Sequence, residues 1–208
     1  MSESPQISQW EHRYSNSNDY LFGIHPNDFL LRHTTAIKPG GRVLSIADGE
    51  GRNGVFLAEQ GFEVHTLEGS ATAVERARLL STQRAVGLTI EQGDLFQWSW
   101  PRNEYDAVVA IFIQFATPEQ RDILFSHMKQ TVKPGGVILL EGYHTSQPKN
   151  GTGGPANVQH LYTEELLRDY FSDMVIEELC TYEAVISEGN GHSGLSALVD
   201  LVARKGSS

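Results

Sequence analysis

The stretch Arg42-Val43-Leu44-Ser45-Ile46-Ala47-Asp48-Gly49-Glu50-Gly51-Arg52-Asn53 decides the fold. A short apolar run, residues 43–47, ends in Asp48-Gly49-Glu50-Gly51, and a helix-forming segment, residues 53–60, begins at once. Strand, glycine turn, helix is a geometry in which backbone N–H groups at a helix start face a bound ligand. Glycine suits the turn because it accepts dihedrals other residues avoid and lets a ligand approach the backbone closely. One unit later the run 63–67 reads as a second strand and stops at Glu68, with Gly69 beyond it. An acid there lies where a ribose would sit. The two signals specify a nucleoside cofactor without saying which one.

Working outward, apolar runs at 43–47, 63–67, 88–91, 105–111 and 137–141 alternate with helical patterns at 53–60, 71–84 and 118–131. That alternation predicts βαβ units and a parallel sheet. The third helix has a strong start signal in Thr117-Pro118-Glu119-Gln120: threonine caps, proline suits the first turn, and glutamine returns the capping bond. Lys38-Pro39-Gly40-Gly41 and Lys133-Pro134-Gly135-Gly136 read as turns leading into strands. Residues 145–158, rich in Gly, Asn and Pro, form the longest loop and are a candidate lid or substrate loop. A helix at 164–171 follows, then two strand-like runs, 175–186 and 195–203, which read as a terminal antiparallel hairpin. Upstream, Trp10, Tyr14, Tyr20 and Phe22 mark an arm over the sheet, and Asn27 caps a helix at 28–33.

The expected fold is therefore α/β, a doubly wound, seven-stranded, mostly parallel sheet closed by an antiparallel hairpin. It is expected to be one domain over 1–208: arm 1–36, cofactor-binding core 37–143, substrate-side loop 144–162, and C-terminal helix and hairpin 163–205.

The bulk numbers narrow the function. Lys+Arg 16 against Asp+Glu 26 gives a net charge of -10, the wrong sign for a phosphate-backbone binder, so no nucleic-acid partner is expected. Cys180 is the only cysteine, which leaves no disulfide or thiolate metal site and points to a reducing cytosol. The polar start and the lack of a long apolar run predict a cytoplasmic protein with no membrane partner. His12, His25, His33, His65 and His127 lack metal-ligand spacing with carboxylates, and no metal is expected. Oligomeric state is left open.

Gly49, Gly51 and Gly54 also satisfy G-x-G-x-x-G, as a dinucleotide site would. Gly93-Asp94 after the third strand, Tyr105-Asp106 opening the fourth and Lys133-Pro134-Gly135-Gly136 before the fifth fit a different family better. In these features the chain resembles class I S-adenosylmethionine-dependent methyltransferases. Within that class it is similar to the tellurite-resistance and thiopurine methyltransferase-like group, through Gly49-Glu50-Gly51-Arg52-Asn53, the arm residues Trp10, Arg13, Tyr14, Gly23, Pro26 and Asn27, and His192-x-Gly194 before a strand ending in Ala203-Arg204-Lys205.

The resemblance implies S-adenosyl-L-methionine as cofactor. It places the methionine part at Asp48, Gly49, Glu50, Gly51, Arg52 and Asn53, the ribose at Glu68 and Gly69, and adenine at Asp94 and Leu95. Ile111 and Gln114 are also expected to bind the cofactor, with Arg13 and Tyr14 closing over it. The chain departs from the pattern at Ser45, where an acid is usual, and at Ala47, where a glycine is usual. Asp48 is placed to supply the missing charge, and alanine at 47 is small enough if its backbone keeps a negative φ. Substituting Gly51 by valine is expected to abolish binding by filling the ligand's place.

Methyl transfer from a sulfonium needs mainly alignment and exclusion of water; a base is required only when the nucleophile arrives protonated. No Asn-Pro-Pro-Tyr follows the fourth strand; the segment reads Ile111-Phe112-Ile113-Gln114-Phe115. That apolar wall with one amide suggests a small acceptor: a thiol, phenol or chalcogen oxyanion. Tyr143 and His144, leaving the fifth strand at its carboxyl end, are the expected catalytic residues; His160 and His192 rank below them. Two alternatives stay open: a cofactor-binding sensor or regulator without transferase activity, motivated by Ser45 and Ala47, and a nicotinamide-dependent reductase.

Overall fold

A computed structural model describes residues 4–207. Its strands are β1 (Arg42–Ile46), β2 (Glu63–Glu68), β3 (Thr89–Gln92), β4 (Tyr105–Ile111), β5 (Val132–Tyr143), β6 (Val175–Glu188) and β7 (His192–Arg204). The α-helices are α1 (Pro5–Ser15), α2 (Asp28–His33), α3 (Arg52–Glu59), α4 (Ala71–Gln83), α5 (Pro118–Thr131) and α6 (Glu164–Tyr170). The seven strands form one sheet in the order β3-β2-β1-β4-β5-β7-β6. β1 to β5 pair in parallel, and β7 runs antiparallel between β5 and β6. The α/β fold with its closing hairpin is the one the sequence predicts.

Successive residues of a strand face opposite sides of the sheet. Leu44, Ile46, Val108, Ala110, Ile138 and Leu140 pack on one side with Leu124, Phe125 and Met128 of α5 and with Phe171 after α6. Val43, Ala107, Val109, Val137 and Leu139 pack on the other with Leu57 of α3 and Phe29 and Leu30 of α2. Because both faces are covered, the central strands read as unbroken apolar runs. The strand order reverses between β1 and β4, and ligands of open α/β sheets bind beyond the carboxyl ends at such a switch point.

Two local expectations are revised. Lys133-Pro134-Gly135-Gly136 does not precede β5 but lies inside it: the pairing with β4 shifts register between Tyr105 and Ala107, with Gly135 at φ 78°. Asp106 holds this bulge, accepting from the backbone N–H of Arg42 at 2.9 Å and from Lys133 Nζ at 2.8 Å. The N-terminal arm, in which the sequence reading placed no helix before residue 28, contains one. Residues 5–15 form α1, with Ser4 as N-cap and Pro5 in the first turn. The missed signal is the spacing of Ile7, Trp10 and Tyr14, one stripe of a helix. Glu11 fastens α1 to the start of α4, accepting from Ser70 Oγ at 2.6 Å and from the N–H and hydroxyl of Thr72. Among the described residues no helix is long and apolar enough to cross a membrane.

Candidate active site

Gly49 and Gly51 both adopt left-handed backbone, at φ 60° and 88°, and Gly51 is the N-cap of α3. Ala47 shares that conformation at φ 48°. The condition set for alanine at this position is therefore not met: the turn requires the geometry a glycine accepts freely, and the methyl group costs about 1–2 kcal/mol there. Gly54 has a packing role, since a Cβ on it would meet Thr66 Cγ2 at 2.5 Å and Asp48 Oδ2 at 2.6 Å. Gly51 likewise turns its missing Cβ toward α4, 2.7 Å from Ala77 Cβ. It lets two helices touch, so the expectation that a side chain there would fill the ligand's place is corrected.

The turn opens into a partly open cavity of about 100 Å³. Asp48, Gly49, Arg52, Asn53, Glu68, Gly69, Asp94, Leu95, Ile111 and Tyr14 line it. They come from the carboxyl ends of β1, β2, β3 and β4, from the start of α3 and from α1. Ser45 Oγ donates to Asp48 Oδ1 at 2.6 Å, and the N–H of Gly54 reaches both Asp48 oxygens at 3.2 and 3.1 Å. Burial nevertheless raises the Asp48 carboxyl to about 7. Glu68 accepts from the N–H of Gly49 at 2.9 Å and of Ser70 at 2.8 Å, and burial raises it as well. Asp94 Oδ1 accepts from the N–H of Phe96 at 2.9 Å, which shapes the loop after β3.

Six candidates lie elsewhere, each for a visible reason. Glu50 anchors the arm, accepting from the N–H of Leu21 at 2.6 Å and from Arg76 Nη1 at 2.5 Å. Gly51 packs on α4, as above. The Arg13 guanidinium stacks over the Trp10 ring, 4.4 Å from its centroid. Gln114 clasps the backbone of Tyr143, donating to its carbonyl at 2.8 Å and accepting from its N–H at 2.6 Å. Tyr143 packs behind Phe112 at 4.8 Å between centroids, and His144 turns its Nδ1 to Ser146 Oγ at 2.9 Å. Nor does the loop at 145–158 reach the cavity: buried Gln147 pins it to β7 by accepting from the N–H of Ala197 at 2.7 Å. The roof is α1 instead, through Ile7, Trp10 and Tyr14.

What the sequence reading ranked low is His192. The hairpin tip crosses to the arm, where the N–H of Gly191 donates to the Leu21 carbonyl at 2.8 Å, and β7 begins with His192 in the cavity wall. Its ring lies 4.4 Å from both Phe22 and Phe112, and its Nδ1 is 3.1 Å from Glu188 Oε2. Glu188 also accepts from Arg52 Nη2 at 2.8 Å and Asn27 Nδ2 at 3.1 Å. These partners outweigh burial and hold its carboxyl down at about 2. Phe112 sits at φ 55°, a conformation rare for a bulky residue, and such strain tends to collect at functional sites.

Residues 43–136 match the model of a family described as a methyltransferase domain. This segment is similar to methyltransferase domains. It spans the glycine turn, the cavity-lining acids Asp48, Glu68 and Asp94, and the bulge inside β5. The chain is 32% identical over 116 residues to an uncharacterized methyltransferase of Synechocystis, matching 55% of this chain and 52% of that protein. The chain spans between a third and about half of the length of the first curated relatives it matches. A solved structure from the conversion of a disulfide bond into a thioacetal group during echinomycin biosynthesis superposes with a TM-score of 0.78, at 18% identity, over 97% of this chain and 93% of that one. TehB from Haemophilus influenzae superposes with a TM-score of 0.72, at 17% identity, over 96% and 67%. At such identities these likenesses establish the fold alone.

S-adenosylmethionine is the cofactor of such a domain, and the residues present fit it. A Cβ at Gly49 would meet the Tyr14 hydroxyl at 2.6 Å, so the turn is bare on its cavity side. Two buried carboxylates, Asp48 and Glu68, face the space that a cationic amino acid and a ribose would occupy.

Proposed function

We propose that this chain transfers a methyl group from S-adenosylmethionine to a small acceptor, a thiol, phenol or chalcogen oxyanion. One observation carries the reading: the glycine turn, Glu68, Asp94 and an aromatic wall of Trp10, Phe22, Phe96, Phe112 and Phe115 line a single cavity beneath α1. When bound, the cofactor supplies an electrophilic methyl group on a sulfonium.

The chain's own residues supply position and a dry, polarisable surface. A carboxylate offers about four lone-pair sites. Glu68 uses two on the backbone of Gly49 and Ser70, leaving two for ribose hydroxyls. Asp94 and Leu95 stand where the adenine would lie, and Asp48, with Ser45 behind it, is the counter-charge for the ammonium. Aromatic faces attract a cation by about 0.5–2 kcal/mol, so the wall favours a sulfonium over its neutral product. The aromatic lining beside the glycine turn supports a small acceptor. The arm residues shared with the tellurite-resistance and thiopurine group, and the sulfur chemistry of the echinomycin neighbour, support a soft nucleophile.

Titration calorimetry with S-adenosylhomocysteine tests the cofactor, with NADH as control. Transfer of labelled methyl groups to thiols, phenols, amines and oxyanions tests the acceptor. Silence with S-adenosylhomocysteine would sink the reading. Binding without turnover across the panel would favour a sensor instead.

A further inference from the structure

We propose that His192 is the general base of the transfer, and that the acceptor is accordingly a neutral S–H or O–H acid, a thiol or phenol, rather than a preformed oxyanion. The inference rests on the methyltransferase reading and narrows it.

The geometry is that of a held base. Nδ1 of His192 faces Glu188, and Glu188 is itself fixed from α3 by Arg52 and from the start of α2 by Asn27. An ionised carboxylate can only accept, so Nδ1 carries the proton and Nε2 keeps its lone pair. No other hydrogen bond to this ring forms among the described residues, although the residue lines the cavity. Phe22 and Phe112 hold the ring from two directions, and Tyr143 packs edge-on at 5.7 Å. The charged groups around it are Glu188 of β6, Arg52 of α3 and Arg13 of α1. Burial and the two arginines favour the neutral ring, against Glu188, and its pKa is lowered.

A plain hairpin contact between residues 188 and 192 would need neither the cavity position nor the left-handed Phe112. In the step itself the acceptor's proton passes to Nε2 and the acceptor's lone pair forms the new bond to the methyl carbon. The carbon–sulfur bond of the sulfonium breaks, with its electron pair staying on sulfur. The imidazolium then returns its proton to water. A preformed oxyanion would have no proton for Nε2 to take.

The test pairs His192→Gln with Glu188→Gln. His192→Gln is expected to bind S-adenosylhomocysteine as the parent does and to lose about 10²–10⁴-fold in kcat/KM for a thiol or phenol below that acceptor's own pKa. The loss should shrink as pH rises through the acceptor's pKa. Nitrogen-15 spectra of the cofactor-free parent protein at neutral pH should show His192 protonated on Nδ1 alone, and Glu188→Gln should weaken that preference. A pH-independent loss, an unchanged rate, or an Nε2-protonated ring overturns the proposal while leaving the methyltransferase reading intact. Should His192→Gln not fold, the parent spectra and the Glu188→Gln pH profile decide. Failure of the parent to bind S-adenosylhomocysteine would instead overturn the reading beneath it.

Discussion

The backbone N–H of Gly49 donates to Glu68 Oε2 at 2.9 Å, tying the turn after β1 to the carboxylate that ends β2. One side chain thereby shapes the turn and faces the cavity, so its structural role is compatible with the expected ribose contact. Glu68→Ala is expected to weaken S-adenosylhomocysteine binding by about 1.5–3 kcal/mol, through loss of charge-assisted hydrogen bonds. Calorimetry measures it, and an unchanged dissociation constant would remove Glu68 from the site.

Gly51→Ala separates packing from binding. A methyl group there meets Ala77 Cβ at 2.7 Å and Cα at 2.9 Å, on backbone at φ 88°. The left-handed conformation costs about 1–2 kcal/mol and overpacking about 1–3 more. The expected outcome is a urea midpoint lowered accordingly, with cofactor affinity nearly kept in the fraction that folds. Full stability with lost binding would mean that residue 51 faces the ligand after all.

Asp48 predicts proton release on binding. Its carboxyl, raised by burial to about 7, is partly protonated at neutral pH, and a cationic ammonium beside it favours the ionised form. Affinity should therefore rise with pH up to about 7 and then level, with protons released below that point. Calorimetry in buffers of different ionisation enthalpy reads this directly. Asp48→Asn should abolish the release and weaken binding.

Behind the site, Glu141 and Asp200 face each other across β5 and β7, both buried. Burial pushes both carboxyls up, helped by the charge of Asp200 at Glu141 and by that of Glu178 at Asp200. An acid raised in the native state stabilises it when protonated, so this contribution is present at low pH and lost as pH climbs through the folded value. Asn27 Nδ2 at 2.5 Å and the Tyr182 hydroxyl at 3.2 Å lessen the cost without removing it. Glu141→Gln should therefore raise the melting temperature relative to the parent near pH 8.5 and change it little near pH 5. An equal shift at both pH values would show that ionisation of this pair is not the cause.

Much was legible in consecutive residues because the demands there are local. A glycine turn, a cap such as Thr117 with Gln120, and alternating apolar runs each follow from backbone geometry within a few positions. The place of Asp48, Gly49, Glu68 and Asp94 at the cavity was legible because each sits at a fixed offset from a strand end. The roles of Glu50, Gly51 and Gln114 were not legible, because those offsets also serve packing: Arg76, Ala77 and Tyr143 are their partners, 26 to 29 positions away for all three. The roof and the base were hidden for the same reason. α1 is fastened through Glu11 to the start of α4, and His192 reaches Phe22, Arg52 and Phe112 only after the chain has closed. The sequence by itself determined the sheet, the switch point and the acids at its rim, since dihedral and capping preferences act over a single turn. The tertiary structure alone decided which histidine meets the cavity and which carboxylate holds it, since that depends on two ends of the chain converging over the same strand edge.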